Sequence, residues 1–149
     1  MENRWSEQDD AGLTGVELLV YQGHLIGADP ALVTFGGGNI SVKSTLSDFR
    51  GREIRALIVK GSGVDMKSAE ARDFPSVDLD DVLPLFERSD MLDEDVVDYL
   101  ARCLLDPGAL RPSIETLLHA FLPQASVVHT HADAILSLGN TSRPEHILK

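Results

Sequence analysis

The sequence predicts an α/β fold: a three-layer α/β/α sandwich around a mixed, mostly antiparallel sheet. Three observations carry this. Helical and strand-like segments alternate along the 149 residues instead of falling into separate blocks, the pattern of layered α/β architectures. The first strand-like segments are joined by a short glycine turn, and only antiparallel neighbours can be connected so briefly. The run Ala56–Leu57–Ile58–Val59 is apolar without a break, as expected of a strand covered on both faces. The length suits one core, so residues 1–149 read as a single domain, with 1–11 a flexible tail.

The elements follow in order. Thr14-Gly-Val-Glu17 has the form of a capping box, and Val16, Leu19, Val20 and Gly23 continue a helical stripe to about Ile26. "LVTFGGGNISVK" reads as strand, glycine turn, strand, with Val33 and Phe35 before the glycines and Ile40 and Val42 after them. "STLSDFRGREI" reads as a loop, and "IRALIVKGSG" as a third strand ending in small residues. "DEDVVDYLARCLLD" is a helix with acids in its first turn, favoured by the helix dipole, and with Val96, Val97, Leu100, Leu104 and Leu105 on one face. "RPSIETLLHAFLP" is another, with Ile114, Leu117, Leu118, Phe121 and Leu122 at helical spacing between Pro112 and Pro123. "ASVVHTH" is then a strand, and "ADAILSL" begins a further helix.

Composition excludes several classes. No apolar run approaches the roughly 18 residues of a membrane span, and the polar start "MENRWSEQDD" has no apolar segment of a signal peptide. The expected location is the cytoplasm. A lone cysteine, Cys103, leaves no internal disulfide framework; its apolar helical setting reads as a buried structural thiol. A net charge of −11 argues against nucleic acid or anionic membrane as a partner. It does not argue against a small anion, which a few backbone N–H groups can hold locally.

Three constellations carry chemistry. His129 and His131 lie two apart on a predicted strand, so they project from one face and can share a Zn²⁺ ion; the plainer reading is two hydrogen-bonded histidines at a strand end. Asp133 could orient one of them, although capping the next helix explains it as well. Glu115, just off the apolar stripe of its helix, is either a solvated acid paired with His119 or a general acid/base. The third constellation is a set of small-residue turns, Gly36 to Asn39, Gly61 to Gly63, and Ser113 at a helix start. Each alone could be a tight turn, but together they suggest backbone N–H groups gathered round a phosphate.

In order and rough spacing, "GGGNIS", "IVKGSGVDM", "RPSIETLLHAFLP" and "VVHTHAD" resemble the class II aldolase/adducin family. "VVHTHADAIL" looks most like the rhamnulose-1-phosphate aldolase portion of bacterial aldolase/dehydrogenase fusions, and the likeness covers about residues 12–149. It implies Zn²⁺ held by His129 and His131, and Glu115 as catalytic acid/base. Gly38, Asn39, Ser62, Gly63 and Ser113 would hold the substrate phosphate. The implied partner is a small sugar phosphate cleaved to dihydroxyacetone phosphate and an aldehyde, and the implied assembly is a homo-oligomer, a tetramer in many members. One departure stands out. The family's third zinc ligand is a histidine on a later strand, and no histidine here has a matching context, neither His24, His119 nor His146. The expectation is therefore an incomplete site and fold, the front part of a longer aldolase without activity of its own. A non-catalytic adducin-like assembly module, or a sugar-phosphate epimerase or decarboxylase relative, are the alternatives.

Overall fold

The computed structural model describes residues 3–147. Its centre is a hairpin. Strand β1 (Asn39–Ser47) pairs antiparallel with β2 (Glu53–Val59), in register from Ser41↔Val59 to Ser47↔Glu53. The stretch expected as a loop is thus half strand, and the connection shrinks to Asp48–Arg52. Asp48 builds that turn: its carboxylate accepts the N–H groups of Arg50 and Arg52, each at 2.8 Å, and Gly51 takes φ +78°. These donors, Arg52 first, hold the Asp48 carboxyl below its ordinary pKa. Strand β3 (Ser76–Asp78) joins the free edge of β2, and β4 (Ser126–His129) joins β1, giving the order β3-β2-β1-β4. Every pairing among the described residues is antiparallel, so the sheet is not mixed here.

Alternation along the strands sends side chains to two separate apolar layers. Ile40 and Ile58 face helix α1 (Gly15–Gly27), packing with Leu19, Val33, Met66, Ala69 and Phe74. Leu57, Val59 and Val77 face the other way. They pack with Leu79 and Val82 of α2 (Leu79–Val82), with Val96 and Leu100 of α3 (Asp93–Arg102), and with Ala120 of α4 (Thr116–Phe121). The result is the three-layer sandwich. Leu57, Val59, Val77 and Leu100 are fully buried, and each such side chain stabilises the fold by about 1.5–3 kcal/mol. Cys103 lies in the second layer; burial, with Asp81 and Asp78 nearby, pushes its thiol pKa up to about 11, which suits a structural thiol.

Several local expectations change. Thr14 is the N-cap of α1, but its hydroxyl caps nothing, so no capping box forms; the Glu17 N–H donates to the Thr14 carbonyl instead. No strand precedes the glycines: Val33 turns into the α1 layer, while Phe35 is exposed. Helix α3 stops at Arg102 because the next residues run along β3, with Leu104 bridging Val77 and the Leu105 N–H donating to the Ser76 carbonyl. Helix α4 starts at Thr116, not Pro112, since Pro112 is bridged to Gly61. The segment before α1 touches the body, with Trp5 edge-on to Tyr21 and the Ser6 N–H donating to the Tyr21 hydroxyl. Helices α5 (Asp133–Gly139) and α6 (Pro144–Ile147) follow β4, and no described helix is long and apolar enough to cross a membrane.

Candidate active site

One end of the sheet gathers the predicted residues. Asn39 opens β1 directly opposite His129, which closes β4. Gly38, just before it, is buried with φ +70°, and a Cβ there would meet Val33 Cγ1 at 2.6 Å and the His129 carbonyl at 2.8 Å. Only glycine lets the chain pass so close to the strand that carries His129. The Asn39 amide is buried and occupied: Oδ1 accepts the Ile40 N–H and Nδ2 donates to the Lys60 carbonyl. It ties the glycine turn to the end of β2.

The Gly61–Gly63 turn is bridged to Pro112, and the Ser62 N–H donates to the Arg111 carbonyl. Ser113 stands beside that bridge, and its hydroxyl accepts the Glu115 N–H at 3.3 Å. The three turns are therefore linked through the Asn39–Lys60 contact and the Gly61–Pro112 bridge. However, the Ser62 N–H already has a backbone partner, and α4, six residues long, is no extended anion-binding helix.

Sequence reasoning missed Lys60. It is 2 % exposed, and its ammonium donates to the Val64 carbonyl at 2.8 Å and the Gly61 carbonyl at 3.4 Å, directly behind Ser62–Gly63. Burial lowers its pKa, while the charges of Glu115 and Asp65 act the other way. The available signal was a lysine placed immediately after four apolar strand residues.

His129 and His131 converge as the strand spacing requires, although His131 lies just past β4; their rings are 4.9 Å apart. Glu115 meets both. Its Oε1 is 3.6 Å from His129 Nδ1 and 3.3 Å from His131 Nε2, so the carboxylate pairs with these two and not with His119. His131 also leans on the glycine turn, where a Cβ on Gly37 would lie 3.2 Å from its Nδ1. Asp133 is the first residue of α5 and does not cap it; its N–H donates to the Ala31 carbonyl. His24 is remote, bonded to the Ala69 carbonyl, and His146 sits on α6.

The Glu115, His129 and His131 donor atoms all lie within 4.8 Å of one another. His129 Nδ1 is buried with no hydrogen-bond partner. An orphaned imidazole nitrogen beside a carboxylate and a second imidazole fits a cation, and two histidines with one glutamate form a zinc-type donor set.

Replacing Gly38 with alanine should lower stability well beyond replacing Gly63. Both have positive φ, which costs a residue with a Cβ roughly 1–2 kcal/mol, but Gly63 faces open space while Gly38 adds the two contacts under 3 Å. Urea unfolding of the two variants checks this; equal losses would mean that the turn moves aside freely.

The sequence profile of the "Class II Aldolase and Adducin N-terminal domain" family matches residues 17–148. The chain belongs to that family. A solved structure, the N-terminal class II aldolase domain of a conserved protein from Thermoplasma acidophilum, superposes with a TM-score of 0.90 at 44 % identity, covering 99 % of this chain and 68 % of that one. A protein of Bacillus subtilis (strain 168), described as the uncharacterized oxidoreductase YuxG, is 53 % identical over 135 residues, which are 90 % of this chain. The chain spans 20 % of the length of that relative.

Proposed function

We propose that this aldolase-family chain supplies part of the site for zinc-dependent cleavage of a phosphorylated ketose, of the rhamnulose 1-phosphate type, to dihydroxyacetone phosphate and an aldehyde, and that it is inactive by itself because none of its histidines matches the third zinc ligand. The observation that carries the reading is the convergence of Glu115, His129 and His131 on one point at the sheet end. Bound there by His129 and His131, Zn²⁺ would supply Lewis-acid stabilisation of the enediolate charge that develops as the C–C bond breaks. The chain's own residues do the rest. The two imidazoles, one closing β4 and one leaning on the glycine turn, would hold the ion and so set where the substrate oxygens can bind. Glu115, within 3.6 Å of both histidines, is placed to carry the proton at the adjacent carbon. Gly38, Asn39, Ser62, Gly63 and Ser113 would position the phosphate, with the Lys60 ammonium behind them offsetting its charge. In this reading the protein works in the cytoplasm as a homo-oligomer. The oxidoreductase description of the Bacillus relative is compatible with an aldolase domain joined to a dehydrogenase.

The test is dihydroxyacetone phosphate release by the purified protein from rhamnulose 1-phosphate and fuculose 1-phosphate. Little or no release is expected from these 149 residues alone, and zinc-dependent release, abolished by a chelator and restored by Zn²⁺, from protein that also supplies a third zinc ligand, with rhamnulose 1-phosphate preferred. Strong release by the 149 residues alone would show that the third ligand is already among them, and zinc bound in the fuller site with neither ketose cleaved would overturn the proposal and favour an assembly role.

A further inference from the structure

We propose that His119, anchored by Ser41, is a positioning residue for His129. His119 is fully buried, and so is Ser41. One ring nitrogen, Nδ1, lies 2.7 Å from Ser41 Oγ, while the other, Nε2, is buried without a partner. A core position that needed only volume would be served more cheaply by an apolar side chain, since burying an unsatisfied polar atom is costly.

The surroundings show what the ring does. His119 sits one helical turn after Glu115, with its N–H donated to the Glu115 carbonyl at 3.2 Å. Its ring centroid is 6.1 Å from that of His129, the planes tilted by 48°. Ser41 and His129 lie on the same sheet face, because Ser41 is opposite Val127 and Asn39 opposite His129. His129 Nδ1 has no hydrogen bond to set the angle of its own ring. The Glu115 oxygen, 3.6 Å away, is beyond hydrogen-bond reach, so that angle is held by this longer contact and by the neighbouring rings of His131 and His119. The Ser41 hydroxyl fixes the His119 ring, and the His119 ring limits how far His129 can turn away from Glu115.

The proposal rests on the metal reading above only for its cobalt arm. Co²⁺ is titrated into the protein and its Ser41→Ala, Ser41→Thr and Ser126→Ala variants, following the visible spectrum. In parallel, long-range ¹H–¹⁵N spectra of the metal-free proteins follow the His129 ring. Ser41→Ala should weaken Co²⁺ binding about tenfold, alter the spectrum and shift the His129 ring signals. Ser41→Thr, which keeps the hydroxyl, should restore all three. Ser126→Ala removes a neighbouring hydrogen bond, to the Ser41 carbonyl, without touching His119, and should leave them unchanged. Unaltered His129 signals in Ser41→Ala, or an equal effect from Ser126→Ala, would overturn the proposal. Should the wild type bind no Co²⁺, the metal reading fails and the ring signals alone decide. Should Ser41→Ala not fold, His119→Asn keeps a polar group facing Ser41 but removes the ring, and must shift the His129 signals for the proposal to stand.

Discussion

Replacing His129 and His131 together by alanine should abolish tight zinc binding while leaving the protein folded. The two imidazoles supply both nitrogen donors of the cluster, and removal leaves Glu115 as its sole donor. Loss of a residue that merely supports a metal ligand costs 10–100-fold in affinity, so loss of two ligands should exceed about 100-fold. The fold should tolerate it. Both side chains are partly exposed, at 26 % and 36 %, and neither belongs to the two apolar layers. Competition against a chromophoric chelator gives the affinity, and thermal unfolding of the metal-free forms gives the stability. Equal zinc affinity in the variant would place the metal elsewhere.

In protein that also supplies the third zinc ligand, Glu115→Gln should reduce turnover by about 10²–10⁴, the usual contribution of a positioned acid or base, while zinc affinity changes only a few-fold. The amide keeps the size and hydrogen-bonding reach of the carboxylate but cannot shuttle a proton. The geometry makes the result informative, because the same oxygen lies within contact distance of both histidines and could serve as ligand instead of proton carrier. A collapse of zinc affinity alongside the rate would assign Glu115 to the metal. Unchanged turnover with zinc retained would remove it from the chemistry.

Much of this was legible in the sequence because it depends on local rules. The spacing of His129 and His131 fixes their common direction, and the apolar run at Ala56–Val59 fixes a covered central strand. The misreadings share a tertiary cause. Val33 and Phe35 alternate like strand residues, but the chain there folds back in a turn, with the Gly37 N–H on the Thr34 carbonyl, and leaves Phe35 84 % exposed. In α4 the apolar stripe centres on Leu118, yet Ile114 and Leu118 are 44 % and 46 % exposed while Thr116 and His119 are buried. Ser41 on the sheet beneath meets the His119 ring, so the helix turns that polar side chain inward. No sequence pattern announces that, because it depends on which strand the helix covers. The buried Lys60 was hidden for the same reason: its partners, the carbonyls of Gly61 and Val64, are set by a loop conformation and not by residue type.

The β1–β4 ladder is only four pairs long, from Asn39↔His129 to Val42↔Ser126. Its burial contrast is shallow, with Val127 half-buried and Val128 48 % exposed. Hydrophobicity therefore does little to choose the alignment. The choice falls to main-chain pairing just beyond the ladder, where the Lys43 N–H donates to the Ala125 carbonyl. A slip of one residue would send His129 to the opposite side of the sheet, away from Glu115, at little cost to either apolar layer. Such a molecule would be compact, would melt much like its neighbours, and would hold no metal. Zinc stoichiometry below one in a uniform preparation would then measure the fidelity of strand pairing, and weakening that main-chain pin should lower the fraction of molecules that load metal before it lowers the melting temperature.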